Sequence, residues 1–328
     1  MNTLLAVDIG GTKTLLELSS LQGEVIVEQK FDSQQYASFD LLLGEFLAQK
    51  EIKQHTIVSA CIGVAGPVVG KQAVVTNLPW VLDADELTQE FSIEHVHLCN
   101  DFEAVGHGIA CLKDDEIEVL QEGEPDLSTP RAVIGAGTGL GQALMFPEKD
   151  DWKVVATEGG NVDFAPTDQK QILLLEHMMQ RFGHVSYERI VSGVGLVTIY
   201  DFLRAYQQRD EDADLRQAMI DGDPAAAISQ FALKQGNELA IEALDMFIKI
   251  YGAQAGNLAL SVIPMAGLYI AGGIAAKNIE RFQEAGFIEA FRSKGKMQNL
   301  VEKIPVYVIL QPKVGLLGAR LLAQQSVV

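Results

Sequence analysis

The run Leu4-Leu5-Ala6-Val7 enters Asp8-Ile9-Gly10-Gly11-Thr12 and leaves through Thr14-Leu15-Leu16-Glu17-Leu18. Apolar residues on both sides of adjacent glycines predict strand, tight turn, strand, with the glycines letting the backbone take a left-handed φ > 0 and keeping side chains away from a ligand. A carboxylate enters the turn and a hydroxyl leaves it, and backbone N–H groups in such a turn can gather around an anion. The theme returns at Gly135-Ala136-Gly137-Thr138-Gly139-Leu140-Gly141, between Ala132-Val133-Ile134 and Ala143-Leu144-Met145-Phe146. Two glycine hairpins of one design predict a duplicated α/β unit carrying two phosphate clamps that face one cleft.

The length of 328 residues and a hydrophobic share of 48% predict a globular chain of two domains. A net charge of −19 argues against a nucleic-acid surface and against docking on anionic membranes. It leaves ATP open, because local backbone dipoles bind phosphate inside an acidic protein. Cys61, Cys99 and Cys111 each lie in an apolar run and read as buried free thiols of a reducing compartment. The opening residues read as a strand and predict no secretory leader. The uncharged stretch from Ala255 to Ala276 is split by Pro264 and Gly267, so it reads as a helix end followed by a buried strand and not as a membrane span.

Along the chain, strands are expected over 3–9, 13–18, 23–31, 56–64, 94–99, 131–137, 140–146, 152–157, 268–272 and 305–310. Helices are expected over 39–50 behind Ser38, over 84–91 behind Asp83 with Glu86 placed for a capping box, and over 102–112, 169–182, 277–292 and 315–323. About forty residues from Asp223 read as mainly helical. The acidic, turn-rich segment from Lys113 to Thr129 reads as a linker. The apolar last helix must pack somewhere, and it could return to the first domain.

Several nucleotide motifs are missing. No Gly-x-x-x-x-Gly-Lys-Ser/Thr run occurs, and Leu140 stands where a dinucleotide fingerprint needs its last glycine. A third glycine turn, Ala271-Gly272-Gly273-Ile274-Ala275, ends a buried strand, where bare backbone can lie against an adenine or ribose.

These motifs resemble those of the bacterial glucokinases, in the hexokinase–actin–Hsp70 superfamily of sugar kinases and ATPases. The resemblance rests on Asp8-Ile9-Gly10-Gly11-Thr12, Ala65-Gly66-Pro67, Asn100-Asp101-Phe102, the run from Gly135 to Gly141, Glu158-Gly159-Gly160-Asn161-Val162-Asp163-Phe164-Ala165-Pro166, Glu188-Arg189-Ile190-Val191-Ser192-Gly193 and Ala271-Gly272-Gly273. It implies a two-domain actin-like ATPase (ribonuclease-H-like) α/β fold with an interdomain cleft. The small domain would hold 1–111 and 311–328, and the large domain 112–310. The activity implied is ATP-dependent phosphorylation of the glucose 6-hydroxyl, the first step of glycolysis, in a cytoplasmic homodimer.

Residue by residue, the resemblance makes Asp101 the catalytic base, placed at a strand end to take the hydroxyl proton. From spacing alone, Asn100-Asp101 equally caps the helix that follows. Asn100, Asp101, Gly139, Glu158, Asn161 and Glu188 are implied for sugar binding, although Glu188 beside Arg189 also reads as a surface ion pair. Asp8, Ile9, Gly10, Gly11, Thr12, Lys13, Gly137, Thr138, Gly139, Gly272 and Gly273 are implied for ATP, with Asp8 acting on Mg²⁺ through water. The glucokinase pattern has histidine where Asn161 stands. That departure keeps a kinase for another hexose or amino sugar as an alternative, with a non-catalytic sugar-sensing protein as a third reading.

Overall fold

Leu4, Leu5, Ala6 and Val7 are all fully buried, because the strand they form is covered on both faces. The computed structural model describes residues 1–149 and 151–327; Asp150 and Val328, which fall in the expected large and small domains, lie outside them. Backbone contacts divide the chain into two units. The first is Met1–Asp114 with Val154–Ala156 and Lys313–Val328, and the second is Asp115–Lys153 with Thr157–Pro312.

The first unit begins with β1 (Asn2–Ile9), β2 (Lys13–Ser20) and β3 (Val25–Asp32), followed by α1 (Phe39–Leu47) and β4 (Thr56–Val64). Ser38 caps α1 through the N–H of Leu41. Three short strands follow, β5 (Val68–Val69), β6 (Gln72–Val74) and β7 (Val81–Asp83), forming a small sheet with no apolar run long enough to announce it. Then come α2 (Ala84–Phe91), capped by Asp83, β8 (His95–Asn100) and α3 (Asp101–Gly108). The main sheet has the order β3-β2-β1-β4-β8, antiparallel in the first three strands and parallel from β1 through β4 to β8. Alternation along β1 sends Leu5, Val7 and Ile9 into a core with Phe39, Phe46 and Trp80.

The second unit repeats this plan. It holds β9 (Ile117–Gln121), β10 (Arg131–Ala136), β11 (Leu140–Glu148), β12 (Asp151–Thr157) and α4 (Gln169–Phe182). The helices α5 (Gly193–Tyr206), α6 (Ala213–Asp221), α7 (Pro224–Lys234) and α8 (Glu238–Val262) follow. After β13 (Leu268–Ala271) come α9 (Gly273–Lys277), α10 (Ile279–Glu284), α11 (Phe287–Arg292), α12 (Gln298–Val301) and β14 (Val306–Ile309). The sheet order is β12-β11-β10-β13-β14-β9, with β10, β13 and β14 parallel. Its first five strands match the order of the first sheet, which is the duplication that the paired hairpins suggested.

Three expectations change. The segment read as a linker contains β9, an edge strand antiparallel to β14; its residues are mostly half-buried, with Val119 exposed and Gln121 the buried one, so no buried apolar run marks it among acidic residues. The single helix expected over 277–292 is three short ones. Gly286 takes a left-handed φ of 82° between the last two, and the Asn278 side chain bonds back to the Ile274 carbonyl at 2.7 Å where the first ends. No element was expected over 193–221, where α5 starts on glycines and β-branched residues of low helix propensity; Ser192 fixes its start by accepting the N–H of Gly195. Among the described residues no helix is long and apolar enough to cross a membrane, and Ala255–Ala276 contains the end of α8 and the strand β13.

The chain closes with α13 (Val314–Gln325), in the first unit. Leu316, Ala319 and Ala323 pack on the β1 face opposite Trp80, with Leu4, Ala6, Cys61, Cys99 and Ala104. The approach to α3 is bare of side chains. A Cβ on Gly318 would stand 1.8 Å from the Ala104 carbonyl oxygen, and one on Gly108 would stand 2.0 Å from that of Val314. Such distances admit only glycine, so α13 fixes the height of α3 over the sheet.

Candidate active site

In the first unit, the parallel strands β1, β4 and β8 end side by side. Asp8 is level with Gly63, Gly63 with Cys99, and Val64 with Asn100. Asp8 and Asn100-Asp101 therefore share the carboxyl edge of one sheet, where α/β proteins place their ligands. Asp8 is half-buried, and burial raises its carboxyl above the ordinary range against the pull of the Lys13 charge. A Cβ on Gly315, at the start of α13, would lie 3.6 Å from Asp8 Oδ2, so the carboxylate faces bare backbone.

The first glycine turn is closed by Gly10 N–H donating to the Lys13 carbonyl at 2.9 Å. Ser33 braces it, its N–H on the Thr12 carbonyl at 3.0 Å and its hydroxyl on the Gly10 carbonyl at 2.9 Å. Neither Gly10 nor Gly11 is left-handed, contrary to the reason first given for them. Their constraint is space: a Cβ on Gly11 would meet Asn77 Cβ at 2.9 Å. Thr12 and Lys13 are exposed. Ile9 has its side chain in the core and its carbonyl on the N–H of Ala65, so only its backbone faces the turn.

Asn100 is the N-cap of α3. Its Oδ1 accepts the Phe102 N–H at 2.9 Å and its Nδ2 donates to the Gly66 carbonyl at 3.1 Å. Glu103 accepts the Asn100 N–H, completing a capping box. The Ala65-Gly66-Pro67 turn is crowded as well, since a Cβ on Gly66 would lie 2.0 Å from the Val74 carbonyl oxygen. Asp101 opens α3, with its Oδ1 accepting the Phe102 N–H at 3.0 Å. Capping and a strand-end carboxylate thus coexist, with the Phe102 N–H shared between Asn100 Oδ1 and Asp101 Oδ1.

In the second unit, the structure gathers the remaining sequence-selected residues around the second hairpin. Leu140 N–H donates to Glu188 Oε2 at 3.0 Å, and a Cβ on Gly139 would lie 2.6 Å from that oxygen. Glu188 N–H donates to the Gly160 carbonyl at 2.9 Å, while a Cβ on Gly160 would meet the Leu140 carbonyl oxygen at 1.9 Å. Glu158 and Asn161 flank that glycine pair and are exposed, with Asn161 N–H on the Glu158 carbonyl at 3.0 Å. The surface-pair reading of Glu188 is excluded: Arg189 instead stacks over Phe182 at 4.4 Å. Gly137 and Thr138 are exposed, and the Gly137 carbonyl receives the N–H of Gly193 at 2.8 Å. Gly272 alone among the site glycines is left-handed, at φ 91°, and a Cβ there would lie 2.3 Å from the Ala136 carbonyl oxygen. Gly272-Gly273 therefore borders the second hairpin.

Sequence reasoning missed three supports. Ser33 lies far from the first turn along the chain. Tyr251, fully buried in α8, donates to the Ile134 carbonyl at 3.1 Å and accepts the Ala136 N–H at 3.2 Å, holding β10 just before its turn. Gln142 is buried against Gly159. No local pattern announces any of them.

Two sheets of matched strand order, each leading with a glycine hairpin, define an actin-like sugar kinase or ATPase of duplicated α/β design. The sequence model of the family described as Glucokinase matches residues 5–326, and the chain belongs to that family. It is 43% identical over 342 aligned positions to the glucokinase of Nostoc punctiforme, spanning 98% of this chain and 99% of the relative. The crystal structure of a glucokinase from an Antarctic psychrotroph superposes with a TM-score of 0.81 at 29% identity, over 99% of both chains. A ROK family glucokinase from Streptomyces griseus in complex with glucose and AMPPNP shares the fold, with a TM-score of 0.68 at 22% identity, over 98% of this chain and 99% of that one.

Proposed function

We propose that this chain transfers the γ-phosphoryl group of ATP to the 6-hydroxyl of glucose. The observation that carries the reading is the shared carboxyl edge of β1, β4 and β8, which sets one carboxylate beside a phosphate-type glycine turn and a second at the head of a capped helix. Phosphoryl transfer asks for those two things: charge and N–H groups for the phosphates, and a fixed acceptor for the hydroxyl proton. Membership of the glucokinase family and the Streptomyces griseus complex with glucose and AMPPNP support the same donor and acceptor.

In this reading Asp101 takes the hydroxyl proton as the oxygen closes on the γ-phosphorus. Asn100 keeps one N–H and one lone pair for a sugar hydroxyl after capping α3. Glu158, Asn161 and the second oxygen of Glu188 hold further hydroxyls. The N–H groups of Gly11 and Gly139, with the hydroxyls of Thr12 and Thr138, receive phosphate oxygens, the Gly10 N–H being taken by the Lys13 carbonyl instead, and Gly272-Gly273 lies against the nucleoside. Asp8, a half-buried carboxylate at the sheet edge that faces bare backbone at Gly315, suits Mg²⁺ that keeps most of its waters. When bound with ATP, Mg²⁺ neutralises charge on the phosphate oxygens.

A coupled ADP-release assay across glucose, mannose, fructose, N-acetylglucosamine and N-acetylmannosamine tests the proposal. Turnover is expected on glucose first, and none on any of the five sugars would end the kinase reading. Asn161 gives a second test. Asn161→His restores a longer side chain that can carry charge, and it is expected to raise glucose kcat/KM by about tenfold, the worth of roughly one charge-assisted hydrogen bond. Unchanged kcat/KM across the panel would mean that the position is neutral.

A further inference from the structure

We propose that Lys294, Asn257 and Tyr187 act together as positioning residues for sugar binding, anchoring the two segments that carry Asn161 and Glu188. The proposal rests on the glucokinase reading of those two residues. The segments 160–164 and 185–188 run alongside each other as a short ladder. Phe164 N–H donates to the Val185 carbonyl at 2.9 Å, Tyr187 N–H to the Val162 carbonyl at 3.0 Å and Glu188 N–H to the Gly160 carbonyl at 2.9 Å, around an antiparallel bridge between Asp163 and Ser186. Asn161 and Glu188 thus move as one piece, and Tyr187 is the rung between them.

Behind that rung stands a directed chain of hydrogen bonds. Lys294 Nζ donates to the Ala253 carbonyl at 2.8 Å and to Asn257 Oδ1 at 2.7 Å. Asn257 Nδ2 spends one proton on Tyr187 Oη at 3.1 Å and the other on Gln254 Oε1 at 3.1 Å. Tyr187 Oη passes its own proton toward the Ala165 carbonyl at 3.4 Å, on the other segment of the ladder. The lysine fixes which way the Asn257 amide faces, since only Oδ1 can accept from an ammonium, and the amide then fixes the tyrosine hydroxyl. The Tyr187 ring is 2% exposed and meets Phe164 edge-on at 5.5 Å.

Lys294 is costly for a part with only a packing role. Burial lowers its amine from the ordinary value, and among the described residues no carboxylate pairs with it. Its stem lies over Gly256, where a Cβ would stand 2.5 Å from Lys294 Cε, so α8 is cleared of side chain to admit it. A methionine would fill that space without the desolvation cost. What methionine cannot do is orient the amide.

The test is steady-state kinetics on the full chain with Tyr187→Phe, Lys294→Met, Lys294→Arg and Glu188→Gln, with thermal melting alongside. Tyr187→Phe and Lys294→Met are expected to raise the KM for glucose about fivefold to tenfold, with kcat and the KM for ATP within about twofold. Lys294→Arg, which keeps the cation, should recover most of the loss. If Glu188→Gln raises the glucose KM while Tyr187→Phe leaves it unchanged, the positioning role is wrong and the sugar site stands. If neither variant moves it, the assignment of Glu188 to the sugar fails and the proposal fails with it. Equal losses in kcat and both KM values, together with a lower melting temperature, would reduce the network to a structural one.

Discussion

Asp101→Asn is expected to lower kcat about 10³-fold while the glucose Kd moves by less than about threefold. The backbone at this position is held from both sides. β8 delivers it in register with β4, and the Asn100 cap and the Glu103 carboxylate fix the first turn of α3. Asparagine has the size of aspartate and keeps an oxygen for the Phe102 N–H, so α3 should start where it does now. The amide still bonds to a sugar hydroxyl but cannot take its proton, and that separates chemistry from binding. Single-turnover phosphoryl transfer and equilibrium glucose binding, measured on the same preparation, read the two quantities. Near-native turnover would put the base elsewhere. A matching loss of glucose affinity would make Asp101 a binding residue.

The hairpin strands, the first parallel strands and the helices over 84–91 and 169–182 were readable because their pattern is local: alternation, a cap, a glycine turn. The motifs singled out the segments that meet at the second hairpin, and the neighbourhood of Gly139, Gly160 and Glu188 follows from close backbone contact. What the sequence hid is non-local. Ser33, Tyr251 and Gln142 support the turns from distant elements, and β9 has the composition of a loop. The cause assigned to Gly10 and Gly11 was also mistaken, since their restriction is crowding and not a left-handed backbone. The docking of α13 belongs to the same class. Its leucines require burial, but nothing in them names the surface.

Arg320 ties α13 to that surface, and Arg320→Met is expected to cost about 3 kcal/mol in the stability of the first unit at neutral pH. Glu17 lies in the middle of β2 with its side chain only 3% exposed, and Arg320 Nη1 reaches it from α13 at 3.0 Å. Lys313 meets Glu28 on β3 at 2.7 Å, a more exposed pair that adds little. Burial raises the Glu17 carboxyl, and the Arg320 charge and hydrogen bond oppose that rise. Without Arg320 the carboxyl goes higher still. A carboxyl whose folded pKa is raised gives stability below its unfolded pKa, about 4.3, and loses it as pH climbs through the folded value. The deficit of the variant relative to the native chain should therefore shrink toward pH 5 and be largest near pH 8. Urea unfolding followed by tryptophan fluorescence suits this unit, because Trp80 is 1% exposed in its core. Glu17→Met combined with Arg320→Met should recover most of the loss, since the penalty comes from one unpaired buried charge and not from the missing attraction. A double variant no more stable than the single one would show that the lost Glu17–Arg320 attraction, and not an unpaired buried charge, carries the penalty.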